Sequence, residues 1–265
     1  MSKAVRIWSG LGLAAMASAA PAQAASNADP LPGPLAGGSV YLQLADNAGE
    51  DGRAQVEMDD AAYLTQLALM QGHLLVGAAL YAQGAQDAAA VHMKHPKHEL
   101  YARLVEALEK RKVAGFADEL EALAVAVEQS KPAADVDAAH NKVDEAIDKA
   151  LAAGSVDPKT VLKAVVQILR TAADEYGEGV AGGKVVNPKE YQDAYGFVQV
   201  ARAMIVRARD TAAEEQKAVF DSIISEIDAL RPAWADITGE KPATAEAKAI
   251  SLAAAKIELL SYDLK

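Results

Sequence analysis

The chain predicts an all-α helical bundle, on three observations. Hydrophobic residues fill 51% of its 265 positions while aromatics fill only 5%. From about residue 58 onward, apolar side chains recur at spacings of three and four, the signature of a buried helical stripe, and β-branched runs are few. Pro and Gly signals then cut that stretch into pieces of helical length, enough for seven or eight helices in one or two bundles.

Lys3 and Arg6 precede the apolar stretch Ile7 to Met16, and small residues lead to Ala22-Gln-Ala24, the layout of a cleavable secretory signal peptide over 1–24. The alternative is a membrane anchor, but the apolar run is shorter than the roughly 20 residues that span a bilayer. Cleavage would leave an exported, periplasmic chain with no stable membrane insertion. Residues 25–57 are rich in Gly, Pro, Ala and Asp and read as a flexible leader, with one short extended piece at 40–44.

The first helix starts at Asp59 or Asp60, whose carboxylates can cap free amide groups, and runs through Leu67, Met70 and Leu74 to a turn at Gly84. A short helix over 85–93 follows. Pro96 then opens a third helix ending near Lys112, with His95 pushed out of helical geometry, so that the chain turns a corner between them. Further helices are expected at 114–129, at 133–152 after Pro132 and at 158–181 after Asp157-Pro158. One more begins at Pro188 and continues to about 230, where Pro232 must bend or end it, and the last covers 243–262.

The joint Gly154-Ser-Val-Asp-Pro158 divides the helical region into halves, 58–153 with a histidine cluster and 154–265 with an acidic one. Each half has a tyrosine-bearing helix end, a glycine-containing connection and an X-Pro helix start followed by an acid and a tyrosine. The halves could be a duplication, or the unit could recur by chance.

Four of the five histidines lie between His73 and His98. Imidazole is the commonest ligand for transition metals and the side chain most easily tuned to titrate near neutrality. Leu69, His73, Val76 and Leu80 share one helical face, which aims His73 into the bundle. His92 ends one expected helix, His95 caps the next and Glu99 projects from its first turn, so His73, His92, His95 and Glu99 make a candidate metal set. The competing reading is a buried, hydrogen-bonded His73 with capping histidines at the corner. His98 is expected to face solvent, as is His140 on a polar helix.

A second candidate lies in the other half. Glu175 and Glu178 are three apart on one helix and Glu190 and Asp193 three apart on the next, so antiparallel packing could gather four carboxylates near Tyr176, Tyr191 and Tyr195. Such oxygen ligands suit ferric iron or calcium. Solvated acids on helix termini are the alternative.

Composition narrows the chemistry. The absence of cysteine excludes disulfides, thiolate zinc, iron–sulfur clusters and thioether-linked haem, leaving a transition metal in a nitrogen and oxygen environment, with non-covalent haem still open. Loss of Lys3 and Arg6 with the signal peptide takes the formal charge from −11 to −13, which disfavours nucleic acid and anionic membranes. No Gly-x-Ser-x-Gly elbow or His-Glu-x-x-His helix occurs, so an enzyme is disfavoured.

Two stretches carry a resemblance. Gly72-His-Leu-Leu-Val-Gly77, Leu80-Tyr, Gly84 and His92-x-x-His95-Pro-x-x-Glu99-Leu-Tyr101, with Glu175-Tyr, Val180, Gly183-Lys-Val-Val-Asn-Pro-x-Glu190-Tyr and Phe197, resemble the extracytoplasmic helical region found with bacterial high-affinity iron permeases. The resemblance spans about 60–200 and implies an iron carrier or accessory that passes metal to an inner-membrane iron permease. The permeases' Arg-Glu-x-x-Glu membrane helices are missing, so the chain would not itself transport. The exported, helical imelysin-like proteins differ, because their Gly-x-His-x-x-Glu signature meets Val76 here. A metal-free interaction module of the cell envelope, with structural or pH-sensing histidines, is the rival reading.

Overall fold

The computed structural model describes residues 59–155 and 157–264, with side chains except those of His95, His98 and Glu99. The expected signal peptide, leader and extended piece at 40–44 lie outside the described residues. The described chain is all-α: nine α-helices, one π-helical turn, one 3₁₀ turn and a two-stranded ribbon.

Helix α1, Asp60–Ala82, is the central rod. Asp59 caps it, its carboxylate accepting from the amides of Ala61 at 2.8 Å and Ala62 at 3.4 Å. Leu67, Met70, Leu74, Val76 and Leu80 are fully buried, each stabilising the fold by about 1.5–3 kcal/mol. The helix closes at Gly84, whose φ of 81° suits glycine.

The expected corner at Pro96 is absent. Helix α2 runs Gln86–Pro96, a π-helical turn covers Lys97–Tyr101, and α3 continues over Ala102–Lys110. Proline lacks an amide hydrogen and its ring crowds the carbonyl four residues back, here that of His92. A widened turn immediately after Pro96 accommodates the lost bond without ending the helix. His95 is therefore helical, and the corner on which the first metal set was built does not form.

Helices α4, Ala117–Glu128, and α5, Ala133–Ala152, pack on each other and flank α2 and α1 respectively. The Tyr63 hydroxyl donates to the Ala150 carbonyl at 3.0 Å, pinning α1 to α5. Asp157 caps α6, Pro158–Gly179, through the Thr160 amide at 2.9 Å. The chain then forms a hairpin not expected from the sequence, pairing Val180 with Val185 and Ala181 with Lys184 around Gly182 and Gly183, both at positive φ.

Helix α7, Pro188–Thr211, was expected to run unbroken to about 230, but the chain parts at Ala212 and resumes as α8, Glu214–Asp228. Neither Gly nor Pro marks that break. What does mark it is Glu214-Glu215, acids placed where a helix N-terminus favours negative charge. A 3₁₀ turn at Arg231–Ala233 contains Pro232, and α9, Ala247–Ser261, completes the chain. Helix α6 lies against α7 and α9, α7 also against α8, and α1 packs across α6 and α7. No helix among the described residues is long and apolar enough to cross a membrane.

Candidate metal centre

Close packing of α1 on α2 and α7 sets the geometry of the site, and glycines permit it. A methyl group on Gly196 would overlap the Gly72 carbonyl oxygen, and one on Gly72 would lie 2.6 Å from the Phe197 ring. A glycine inside a helix costs about 1 kcal/mol relative to alanine, so the pair is retained against propensity where the two backbones touch. On the other side of α1, a methyl on Gly77 would meet Met93 at 2.5 Å and the His92 Cβ at 3.4 Å. His73 and His92 are thereby drawn toward α7.

What they meet there is Asp193. His73 Nδ1 lies 2.5 Å from Asp193 Oδ1, and His92 Nδ1 lies 2.9 Å from the same oxygen. The imidazoles stack loosely at 6.3 Å, and the Phe197 ring stands edge-on to His73 at 5.0 Å. Relative exposures of 8% for His73 and 1% each for His92 and Asp193 put the three beyond easy reach of solvent. His92 Nε2 also faces Gln192 Oε1 at 2.8 Å. With oxygen acceptors at both ring nitrogens, only the imidazolium form donates to both.

Burial works against that charge on His92, yet the Asp193 carboxylate and the two hydrogen bonds outweigh it and raise the imidazole pKa. Burial alone would lift the Asp193 pKa, but the charges and hydrogen bonds of His73 and His92 hold it far below the ordinary carboxylate range. Lys189 extends the arrangement, its ammonium 3.9 Å from Asp193 Oδ2 and 3.3 Å from Glu190 Oε1. Burial opposes its charge, and Asp193, Glu190 and Glu175 more than restore it, so its pKa is raised.

The sequence-derived sets are thus redistributed. His73 and His92 come together, with Asp193 joining them from the expected acidic set. The side chains of His95 and Glu99 lie outside the described ones. Glu175, Glu178 and Glu190 do converge, each offering an oxygen within 4.8 Å of the others, and the same spacing holds for the donors of His73, His92 and Asp193. The four-carboxylate set loses Asp193 because that residue faces α1 across the Gly72 and Gly196 contact. Lys189 and Gln192 were missed, although both sit within a turn of Asp193.

The tyrosines beside the acidic cluster are structural. Tyr176 donates to the Ala233 carbonyl at 3.0 Å and Tyr191 to that of Asp236 at 2.8 Å, and both rings pack on Trp234. Burial pushes the Tyr191 hydroxyl up to about 12 and raises that of Tyr176, so neither is a ready phenolate ligand. His140, expected at the surface, is half-buried, its Nδ1 3.4 Å from Asp144. Its helix turns that edge toward α1, where Gln71 faces Asp144.

A cleft of about 370 Å³ reaches the cluster from outside. His92, Lys189 and Gln192 form its polar floor, while Leu80, Val91 and Glu240 stand around it. The arrangement offers two buried imidazoles and a carboxylate, a donor set suited to divalent first-row metals.

Residues 152–264 match the family model of the iron permease-associated 4-helix bundle domain. The four helices α6 to α9 fall within that span. The match links the chain to iron permease systems, and of the region that carries the sequence resemblance it covers the part from 152 on. No curated protein and no solved structure matches the chain.

Proposed function

We propose that the chain is an extracytoplasmic metal-binding accessory of an iron permease system, with His73, His92 and Asp193 as its ligands and iron as its cargo. One observation carries this reading: two buried imidazoles from two different helices meet at a single buried carboxylate oxygen on a third. The family match supports the association with iron permeases, and the cleft beside His92 supports exchange of the ion without unfolding.

In this reading the apo site holds itself together with protons where the metal will sit. An entering cation takes Asp193 and the two Nδ1 atoms as ligands and expels the protons that join them, so binding releases protons and weakens as pH falls. Neutral imidazole suits ferrous iron, and a single carboxylate leaves positions open for water or a chelator. Gln192 keeps its hold on His92 Nε2 and so fixes which nitrogen faces the metal.

Calorimetric titration of the purified chain with Fe(II) under anaerobic conditions, and with Co(II) as a spectroscopic substitute, tests the assignment. One equivalent should bind in the wild type, and His73→Ala with His92→Ala should lose it. Equal affinity in the double variant would overturn the site.

The fully satisfied His92 imidazolium favours a second reading, a metal-free module whose buried ion pair responds to pH. The two readings separate on melting temperature: a ligand specific for the folded state must raise it, and the second reading requires no rise with iron, cobalt, zinc or manganese.

A further inference from the structure

We propose that Glu175, Glu178 and Glu190 form a second, all-oxygen site for a hard cation, separate from the imidazole site. Helix α6 supplies Glu175 and Glu178 from successive turns of one face, and the first turn of α7 supplies Glu190. The three donor oxygens lie within 4.8 Å of one another. Relative exposures of 4% for Glu175 and 6% for Glu190 remove most of the water that would screen such carboxylates.

The backbones keep them close. A methyl on Gly179 would lie 2.6 Å from the Tyr191 amide nitrogen, so the end of α6 is pressed against the start of α7. Glu190 supplies the independent sign of a missing ligand. Lys189 engages its Oε1 at 3.3 Å, but its Oε2 is buried with no hydrogen-bond partner among the described residues. Buried carboxylate oxygens are ordinarily bonded, so an orphan oxygen on a member of this converging set marks a missing partner, which a cation can supply. The Lys189 ammonium is also shared with Asp193 and Glu175, so its one charge is divided among several carboxylates.

Three carboxylates with no imidazole or sulfur select hard, oxygen-seeking ions, and water fills the remaining positions. Ferric iron and calcium share that chemistry. This proposal is independent of the ferrous site, and either can fail without the other.

Terbium(III) is the probe, because a hard lanthanide beside Tyr176, Tyr191 and Trp234 emits when those rings are excited. Titration of the purified chain should give saturable sensitised emission at one equivalent. Glu178→Gln and Glu190→Gln should each weaken it at least tenfold. Glu178 is only partly buried, so its variant decides the matter if Glu190→Gln fails to fold. Displacement by calcium or by ferric citrate identifies the natural ion. Weak, unsaturable emission, or titration of Glu178→Gln like the wild type, would overturn the proposal.

Discussion

Helix α7 carries two polar clusters that solve the same electrostatic problem in opposite ways. Around Asp193, two imidazoles and a lysine surround one carboxylate, and the charge is balanced from within the fold. Around Glu190, three carboxylates gather and an oxygen is left over. The first cluster is complete without metal and must be opened to bind one, whereas the second leaves Glu190 Oε2 without a hydrogen-bond partner among the described residues. Burial of ligand-type residues therefore says little by itself; the balance of donors and acceptors distinguishes a locked site from an open one.

The largest way to break this comparison is Asp193→Ala. Removing one partner of a buried, hydrogen-bonded ion pair costs about 3–5 kcal/mol. Urea denaturation at pH 6 should show that loss, and it should shrink as pH rises through the folded His92 value and that imidazole sheds its charge. Gly196→Ala comes next, at about 1–3 kcal/mol, because overpacking forces α1 and α7 apart at backbone level. It should also weaken metal binding, since the same displacement separates His73 from Asp193. Gly77→Ala should cost less, because the flexible Met93 side chain can move aside.

Smaller still is the pH response of the apo protein. The His92 pKa is raised on folding, so its contribution is full below the ordinary imidazole value of 6.5 and lost as pH rises through the folded value. The Asp193 pKa is lowered, so its contribution is present above 3.8 and lost as pH falls through the folded value. Together they make the ion pair most stabilising between about pH 4 and 6.5. Thermal melts of the wild type should decline at higher pH, and those of His92→Gln should lack that decline. The smallest effect is expected for Glu178→Gln without metal, within about 0.5 kcal/mol. A large loss there would mean that Glu178 is needed to hold the fold and is not a ligand in reserve.

The helices were legible where chemistry marks their ends. Asp59, Pro132 and Asp157-Pro158 begin helices as expected. Pro96 misled because a local π-turn absorbs the lost hydrogen bond, a solution that periodicity does not reveal. The α7 to α8 break lacks Gly and Pro, so a single long helix was the natural reading. For the site, helical spacing correctly turned His73 inward but could not say which helix it would face. That information lay in Gly72 and Gly196, whose missing side chains let α1 and α7 touch and carry Asp193 across to the histidines. Glu175, Glu178 and Glu190 were easier to assemble because consecutive helices joined by a short hairpin bring them together.

The most direct test is anomalous diffraction from crystals of the chain grown with Fe(II) or Co(II). The account requires one metal peak bounded by His73 Nδ1, His92 Nδ1 and the Asp193 carboxylate at about 2.0–2.2 Å, with the hydrogen bonds among them broken. A metal bound elsewhere, with His73 and His92 still hydrogen-bonded to Asp193, would contradict it.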